Sequence, residues 1–282
     1  LIAETGMACG MGHSSTDVET LIRTMKDYTA EQRIRDVQYM DRLAGYYTEH
    51  GAPVDTYIHN AFCGFDPPEM KVAVGVLHAL LVAEQGVTHI SQSLGLACHV
   101  LQDVAALRVA KEMTAEYLQR YGYKCSLNLS IYPFTGLWSS DRHEAGGAVA
   151  LNTTIAILAG ADWFITKSLD EGRSVPTREA NAGALRLAKQ LVHSIGKQRL
   201  PDSGELAAEK DIIRKGARAI IEKTLEMGDG DPAAGQVSAL EQGVIDAQFS
   251  PYRKIRGKVV SVRDSTGAVR YLDAGGVPLP GD

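Results

Sequence analysis

Cysteine is scarce and scattered. The 282 residues hold four, Cys9, Cys63, Cys98 and Cys125, and no CxxC pair. In a chain this long, that usage fits a reducing cytoplasm better than a disulfide scaffold. Net charge is −5 with no basic stripe, which argues against duplex nucleic acid as a partner. No apolar run reaches the roughly 18–20 residues a membrane helix needs. The opening LIAETGMACG lacks the basic start and long apolar core of a signal peptide. It also lacks an initiator Met, so the chain reads as a fragment or a processed chain. There is no G-x-S-x-G elbow for serine-hydrolase chemistry. Gly10–Met11–Gly12 is missing the third glycine of a phosphate loop, Ser15 standing there, and reads as a flexible loop. Asp229–Gly230–Asp231 lacks the other ligands of a calcium loop and reads as a turn before Pro232.

What is present is a globular composition, 45% hydrophobic and 22% charged. Strands are expected at residues 1–6, 54–60, 87–94, 125–132 and 163–166, with a small-residue loop over 7–16. Helices are expected at about 29–50, opened by a Thr29/Gln32 capping box, and at 69–84, 99–121, 142–159, 177–195, 206–227 and 233–243. Strands each followed by a helix imply an α/β fold with a parallel sheet and right-handed crossovers, either doubly wound or a barrel. A bare strand at the N-terminus suits a TIM (β/α)8-type barrel lacking its first units, over residues 1–248. From 249 the composition shifts, and 258–263 with 268–272 read as a β-hairpin appendage in a C-terminal extension over 249–282.

The organising stretch is ADWFITKSLDEGRSVPTREAN, residues 161–181. A strand there delivers Lys167, a loop carries Glu171, and a helix opens after Pro176 and Thr177. Strand ends facing a helix start are where α/β folds place ligands. Lys167 can bind a phosphate, carboxylate or ribose, or form a Schiff base, and Glu171 can accept from a sugar diol. A rim salt bridge worth little is the bland alternative. Trp138 either covers a planar ligand or caps the core. Cys9 with His13, His59 with Cys63, and Cys98 with His99 are each placed at the end of a successive strand. A zinc-like site built from them is an alternative, and no metal site is assigned.

Several stretches together resemble the large epsilon subunit of glutamate mutase (methylaspartate mutase): DVQYMDRLAGYY, DPPEM, LLVAEQGV, LQDVAALR, TTIAILAGADWFITKS, PTREANAG and VRDSTGAVRYLDAGGVP. They run in order from about Asp36 to Asp273. The resemblance implies a TIM barrel whose mouth meets a small cobalamin-binding subunit, in a cytoplasmic hetero-oligomer. It implies an isomerase acting through adenosylcobalamin by radical rearrangement of L-glutamate to 3-methylaspartate. In that family a lysine and a glutamate four residues on hold the adenosyl ribose, and Lys167 and Glu171 match them. Val175 and Trp138 match positions lining the cofactor. The letters of the cobalamin signature D-x-H-x-x-G occur once, at Asp141–Gly146, and it is the resemblance that implies a small partner subunit bringing the cofactor.

The substrate half of the pattern departs. The family's carboxylate-gripping arginines would precede Leu1. Its next loop carries a glutamate, then glycines, then two tyrosines four apart. Here the loop is GMACGMGHSSTDVETLIRT, with Met11 near the glutamate and no tyrosine before Tyr28. Losing a carboxylate that holds the substrate ammonium removes a charge-assisted hydrogen bond. The expectation is therefore a glutamate-mutase-like isomerase, or a sibling acting on another small carboxylic acid in which His13, His59 or His99 replaces the lost contacts. A scaffold without catalysis and a metal-dependent barrel enzyme are the remaining readings.

Overall fold

The computed structural model describes residues 2–18, 20–59, 62 and 64–280. Four strands, β1 (His13–Thr16), β2 (Asp55–Ile58), β3 (His89–Gly95) and β4 (Ser126–Tyr132), lie parallel in chain order. His13 pairs with Asp55, Asp55 with His89 and His89 with Ser126, so one register level crosses the sheet. The order never reverses, as it does in a doubly wound sheet. The α/β fold with a parallel sheet is as expected. The described strands form an open sheet with β1 and β4 at its edges.

Strand side chains alternate between two faces. Thr16, Ile58, Ile90, Leu94, Leu129 and Ile131 point into the core, all but buried. The helices α3 (Ala30–Glu49), α4 (Pro68–Glu84) and α5 (Val100–Arg120) pack there. The other face carries His13, Asp55, Tyr57, Ser91, Ser93, Asn128, Ser130 and Tyr132. It is the polar face.

The helices form where capping and periodicity place them. Before α3, the Gln32 N–H donates to Thr29 Oγ1 and the Thr29 N–H to Gln32 Oε1, each at 3.1 Å. The α4 helix is buried nearly all round because α8 (Gly204–Met227) covers its outer side, which explains its uninterrupted Val, Leu and Ala. Two more helices, α6 (Arg142–Ala159) and α7 (Arg178–Ile195), pack together, and α9 (Pro232–Gln242) lies against α8.

Three expectations need correction. Where residues 1–6 read as a strand, the chain forms a helix, α1 (Ile2–Ala8). Its Ala, Glu and Met are helix formers, and Gly10, at φ +87°, turns the chain after it. The first strand is instead β1, inside the stretch read as a loop. Its sequence, HSST, has no apolar residue to announce it, because its core-facing Thr16 enters a buried polar network. Thr16 Oγ1 donates to Asp41 Oδ1 at 3.0 Å and lies 3.1 Å from His78 Nε2. A short helix, α2 (Thr20–Thr24), follows. Finally, residues 163–166 form no regular strand. They run extended beside β4, with the amides of Asp162 and Ile165 on the carbonyls of Leu129 (2.8 Å) and Ile131 (3.5 Å).

The C-terminal hairpin, β5 (Val260–Arg263) and β6 (Val269–Asp273), forms as expected. Arg270 clasps the buried carboxylate of Glu209 at 2.7 and 2.6 Å. Gln102 joins them, donating to Glu209 and accepting from the Val269 amide, each at 2.8 Å. Arg263 donates to the Ala97 carbonyl, 2.7 Å away, within the β3–α5 connection. No helix among the described residues is long and apolar enough to cross a membrane.

Candidate functional site

Lys167 stands where the extended segment leaves the sheet. Its Nζ lies 3.2 Å from Glu171 Oε1 and 5.0 Å from the centre of the Tyr132 ring. Burial works against the charge, but the Tyr132 hydroxyl and the Glu171 carboxylate outweigh it. The ammonium is held above its ordinary pKa. About a fifth of the lysine side chain and a quarter of the glutamate's remain exposed (21% and 25%), so both are reachable. An ammonium and a carboxylate side by side can donate to one hydroxyl of a diol and accept from the next.

The loop that presents this pair is anchored by a residue the sequence did not single out. Asp170, 1% exposed, receives Arg142 Nε at 2.8 Å, Arg142 Nη2 at 2.9 Å and Thr177 Oγ1 at 2.9 Å. The Arg142 guanidinium holds its carboxyl down at about 2. Nothing local in SLDEGR marks Asp170 over Glu171, because its partner is 28 positions away. Gly172 completes the anchor: a Cβ there would lie 2.4 Å from the Trp138 carbonyl oxygen.

Trp138 is 8% exposed, packed against Ala145, Ala148, Val149, Ala184 and Ala188. Its Nε1 donates to the Ser168 carbonyl at 2.8 Å, tying it to the Lys167 loop. The cavity between them, lined also by Asn152 and Lys167, measures about 10 Å³, room for about one water. A larger ligand of Lys167 must therefore approach from the polar face. Val175 is 89% exposed and lines a site only under something that covers it.

The Cys and His pairs do not converge as expected. His13 sits at the N-terminal end of β1, bonded to Asp55 at 3.1 Å, while His59 follows the C-terminal end of β2. His99 is spent capping α5, its Nδ1 accepting from the Gln102 amide at 3.1 Å. Cys98 adopts φ +63°, and burial pushes its thiol up to about 12. Cys63 lies outside the described residues. Among those described, no three His, Cys, Asp or Glu are placed to hold a metal. Asp231 caps α9 rather than a cation, accepting from the Ala233 amide at 2.7 Å.

The polar face is organised in two levels. At the N-terminal end of the strands, Trp163 Nε1 donates to Ser91 Oγ (3.0 Å), and Ser91 donates to Asp55 (2.8 Å), which also receives His13. At the C-terminal end, Tyr132 lies between Lys167 and His59, whose ring centre is 4.8 Å from that of Tyr132. His59 Nδ1 is 3.0 Å from Asp17 Oδ2. Strand alternation could have brought Tyr132 forward. Asp17 could not have been found that way, since β1 was not legible.

The family model for the methylaspartate mutase E chain matches residues 1–282. A glutamate mutase epsilon subunit from Escherichia coli O157:H7 is 36% identical over 285 residues, covering 100% of this chain and 59% of that protein. One from Treponema denticola is 38% identical over 259 residues, covering 91% and 53%. The chain thus spans little more than half the length of these relatives. A solved 2,3-dimethylmalate lyase of the PEP mutase/isocitrate lyase superfamily aligns over 82% of this chain, at 15% identity and a TM-score of 0.35, too distant to carry an argument. The match of the family model along the whole length, with such relatives at more than a third identity, settles the kinship, and the chain belongs to the methylaspartate mutase E chain family.

Proposed function

We propose that this chain is the catalytic α/β portion of a glutamate mutase, an isomerase interconverting L-glutamate and 3-methylaspartate with adenosylcobalamin. In this reading the four-stranded sheet, single-wound with its helices on one face, is part of a TIM (β/α)8 barrel. Residues 1–248 make the barrel portion and 249–282 an extension docked on it. A small subunit carries the cobalamin, and the assembly is a cytoplasmic hetero-oligomer. The described cysteines, Cys9, Cys98 and Cys125, are free thiols, which suits that compartment.

The observation that carries the reading is the Lys167–Glu171 pair, 3.2 Å apart and partly exposed beside the polar face. Its donor and acceptor fit the two hydroxyls of a ribose. When bound, the cofactor supplies the radical chemistry. The chain's own part is to bind, orient and shield. Lys167 donates to a ribose hydroxyl and Glu171 accepts from its neighbour. Asp170 and Arg142 hold the loop that aims them. Trp138 keeps water from the back of the loop, and Val175 meets the cofactor or the partner that brings it. Shielding matters because a radical exposed to solvent is lost to side reactions.

The test uses the full-length protein with its cobalamin subunit under anaerobic conditions. Lys167→Met and Glu171→Gln should each weaken adenosylcobalamin binding about tenfold or more, the worth of a hydrogen bond to a charged group. They should also suppress the glutamate-dependent cobalt(II)–radical signal in EPR. Unchanged cofactor affinity in both would refute the assignment.

A further inference from the structure

We infer that His59, aimed by Asp17, accepts a hydrogen bond from the ammonium of an amino-acid substrate. The inference deepens the proposed function and rests on it for the identity of that substrate.

Placement comes first. Of the four histidines near strand ends, His13 and His89 are at the wrong end of their strands and His99 caps a helix. His59 alone lies at the level of Lys167. Its ring and the Lys167 ammonium both lie within about 5 Å of the Tyr132 ring centre, at 4.8 and 5.0 Å. The His59 amide donates to the Thr16 carbonyl at 3.1 Å, which fixes the backbone just past β2. The side chain is 28% exposed, that of Asp17 only 9%.

Next comes the proton. An ionised carboxylate only accepts, so the bond to Asp17 Oδ2 puts hydrogen on His59 Nδ1. With the hydrogen on Nδ1, Nε2 is left as the acceptor of the ring, with no hydrogen-bond partner for it among the described residues. Asp17 is itself held: Arg33 Nε donates to its backbone carbonyl at 2.9 Å, and Arg33 Nη2 lies 3.9 Å from Oδ1. The tautomer is thus set by a carboxylate that has little freedom to turn away.

Last comes the complement. Glutamate presents two carboxylates, which cannot donate, and one ammonium, which can only donate. An acceptor at Nε2 therefore selects the ammonium. The neighbouring cation, Lys167, is already paired with Glu171 and does not compete for it. His59 would thus tell an amino acid from the corresponding plain dicarboxylic acid.

Substitutions at His59 separate this role from a structural one. Gln places an amide oxygen near the position of Nε2, whereas Asn places its amide near Nδ1 and can keep only the Asp17 contact. The full-length protein, assembled with its cobalamin subunit and adenosylcobalamin, is titrated calorimetrically with glutamate and with glutarate, which lacks the ammonium. Wild type should favour glutamate. H59F and H59N should weaken glutamate about 10- to 100-fold while shifting glutarate less than about threefold, and H59Q should recover most of the loss. D17N, which unsettles the tautomer, should fall between. Equal weakening of both ligands, rescue by Asn rather than Gln, or no preference for glutamate in wild type would overturn the inference. Melting temperatures of the variants exclude misfolding as the cause. K167M in the same titrations reads the cofactor assignment separately, because it should weaken adenosylcobalamin and leave the glutamate-to-glutarate preference intact.

Discussion

Arg142 and Asp170 meet in a two-pronged bond, Nε to Oδ1 at 2.8 Å and Nη2 to Oδ2 at 2.9 Å, joining the first turn of α6 to the loop that carries Glu171. The carboxylate is buried and the guanidinium half-exposed, so the arginine serves the aspartate. Removing the arginine leaves a buried charge. Removing the aspartate frees the loop. Hydrogen exchange should read this directly: D170N should speed exchange at the amides of Arg173, Ser174 and Thr177, with little effect in α4 or α5. Because the folded carboxyl is depressed to about 2, the clasp contributes in full above the free value near 4 and fails as pH falls through about 2. Protection of these amides should follow the same window.

Two glycines make a matched pair. Gly172 packs so closely on the Trp138 and Ser139 carbonyls that a Cβ would sit 2.4 and 2.8 Å from their oxygens. Gly172→Ala should therefore displace the Lys167 loop and destabilise the protein by roughly 1–3 kcal/mol, the usual cost of overpacking. Gly147, inside α6, has nothing within 4 Å of its would-be Cβ. There alanine should stabilise by about 0.5–1 kcal/mol through helix propensity. Urea unfolding of both variants checks the contrast.

Asp41 and His78 share Thr16 and pull stability in opposite directions with pH. Burial raises Asp41 to about 7, so its contribution is lost as pH climbs from about 4 to 7. Burial lowers His78 to about 4, so its contribution is lost as pH falls from about 6.5 to 4. Over the shared window the two slopes offset each other in wild type. D41N should expose the histidine alone, giving a protein whose stability rises with pH between about 4 and 6.5 relative to wild type. Parallel profiles for the two proteins would contradict the assignment.

The hairpin is fastened through Glu209, which is buried, and Arg270, which is its bidentate partner. Arg270→Met should cost about 3 kcal/mol or more by stranding the carboxylate. The double variant Arg270→Met, Glu209→Gln should recover much of that loss. A single variant near wild type in thermal unfolding would show that the hairpin is held mainly by its apolar contacts.

The amino-acid sequence by itself determined most of the helices, the parallel α/β character and the hairpin. These rest on local physics: the Thr29/Gln32 box, the 3.6-residue spacing behind α3, and glycines at helix ends. It also brought Lys167 and Glu171 forward, four residues apart at the end of an extended run. Tertiary structure decided the rest. The strand β1 was illegible because its core-facing residue, Thr16, is satisfied by Asp41 and His78, which lie 25 and 62 positions away. Residues 2–6 turned helical because Ile2 is the one large apolar side chain among them, too little to make a strand against the helix formers around it. Asp170 as anchor, Tyr132 as the ring between Lys167 and His59, and His59 with Asp17 at one rim all depend on partners distant in the chain. Hydrophobic period shows which face of an element is buried, but the pairing of polar groups inside a fold is settled only when the chain closes on itself.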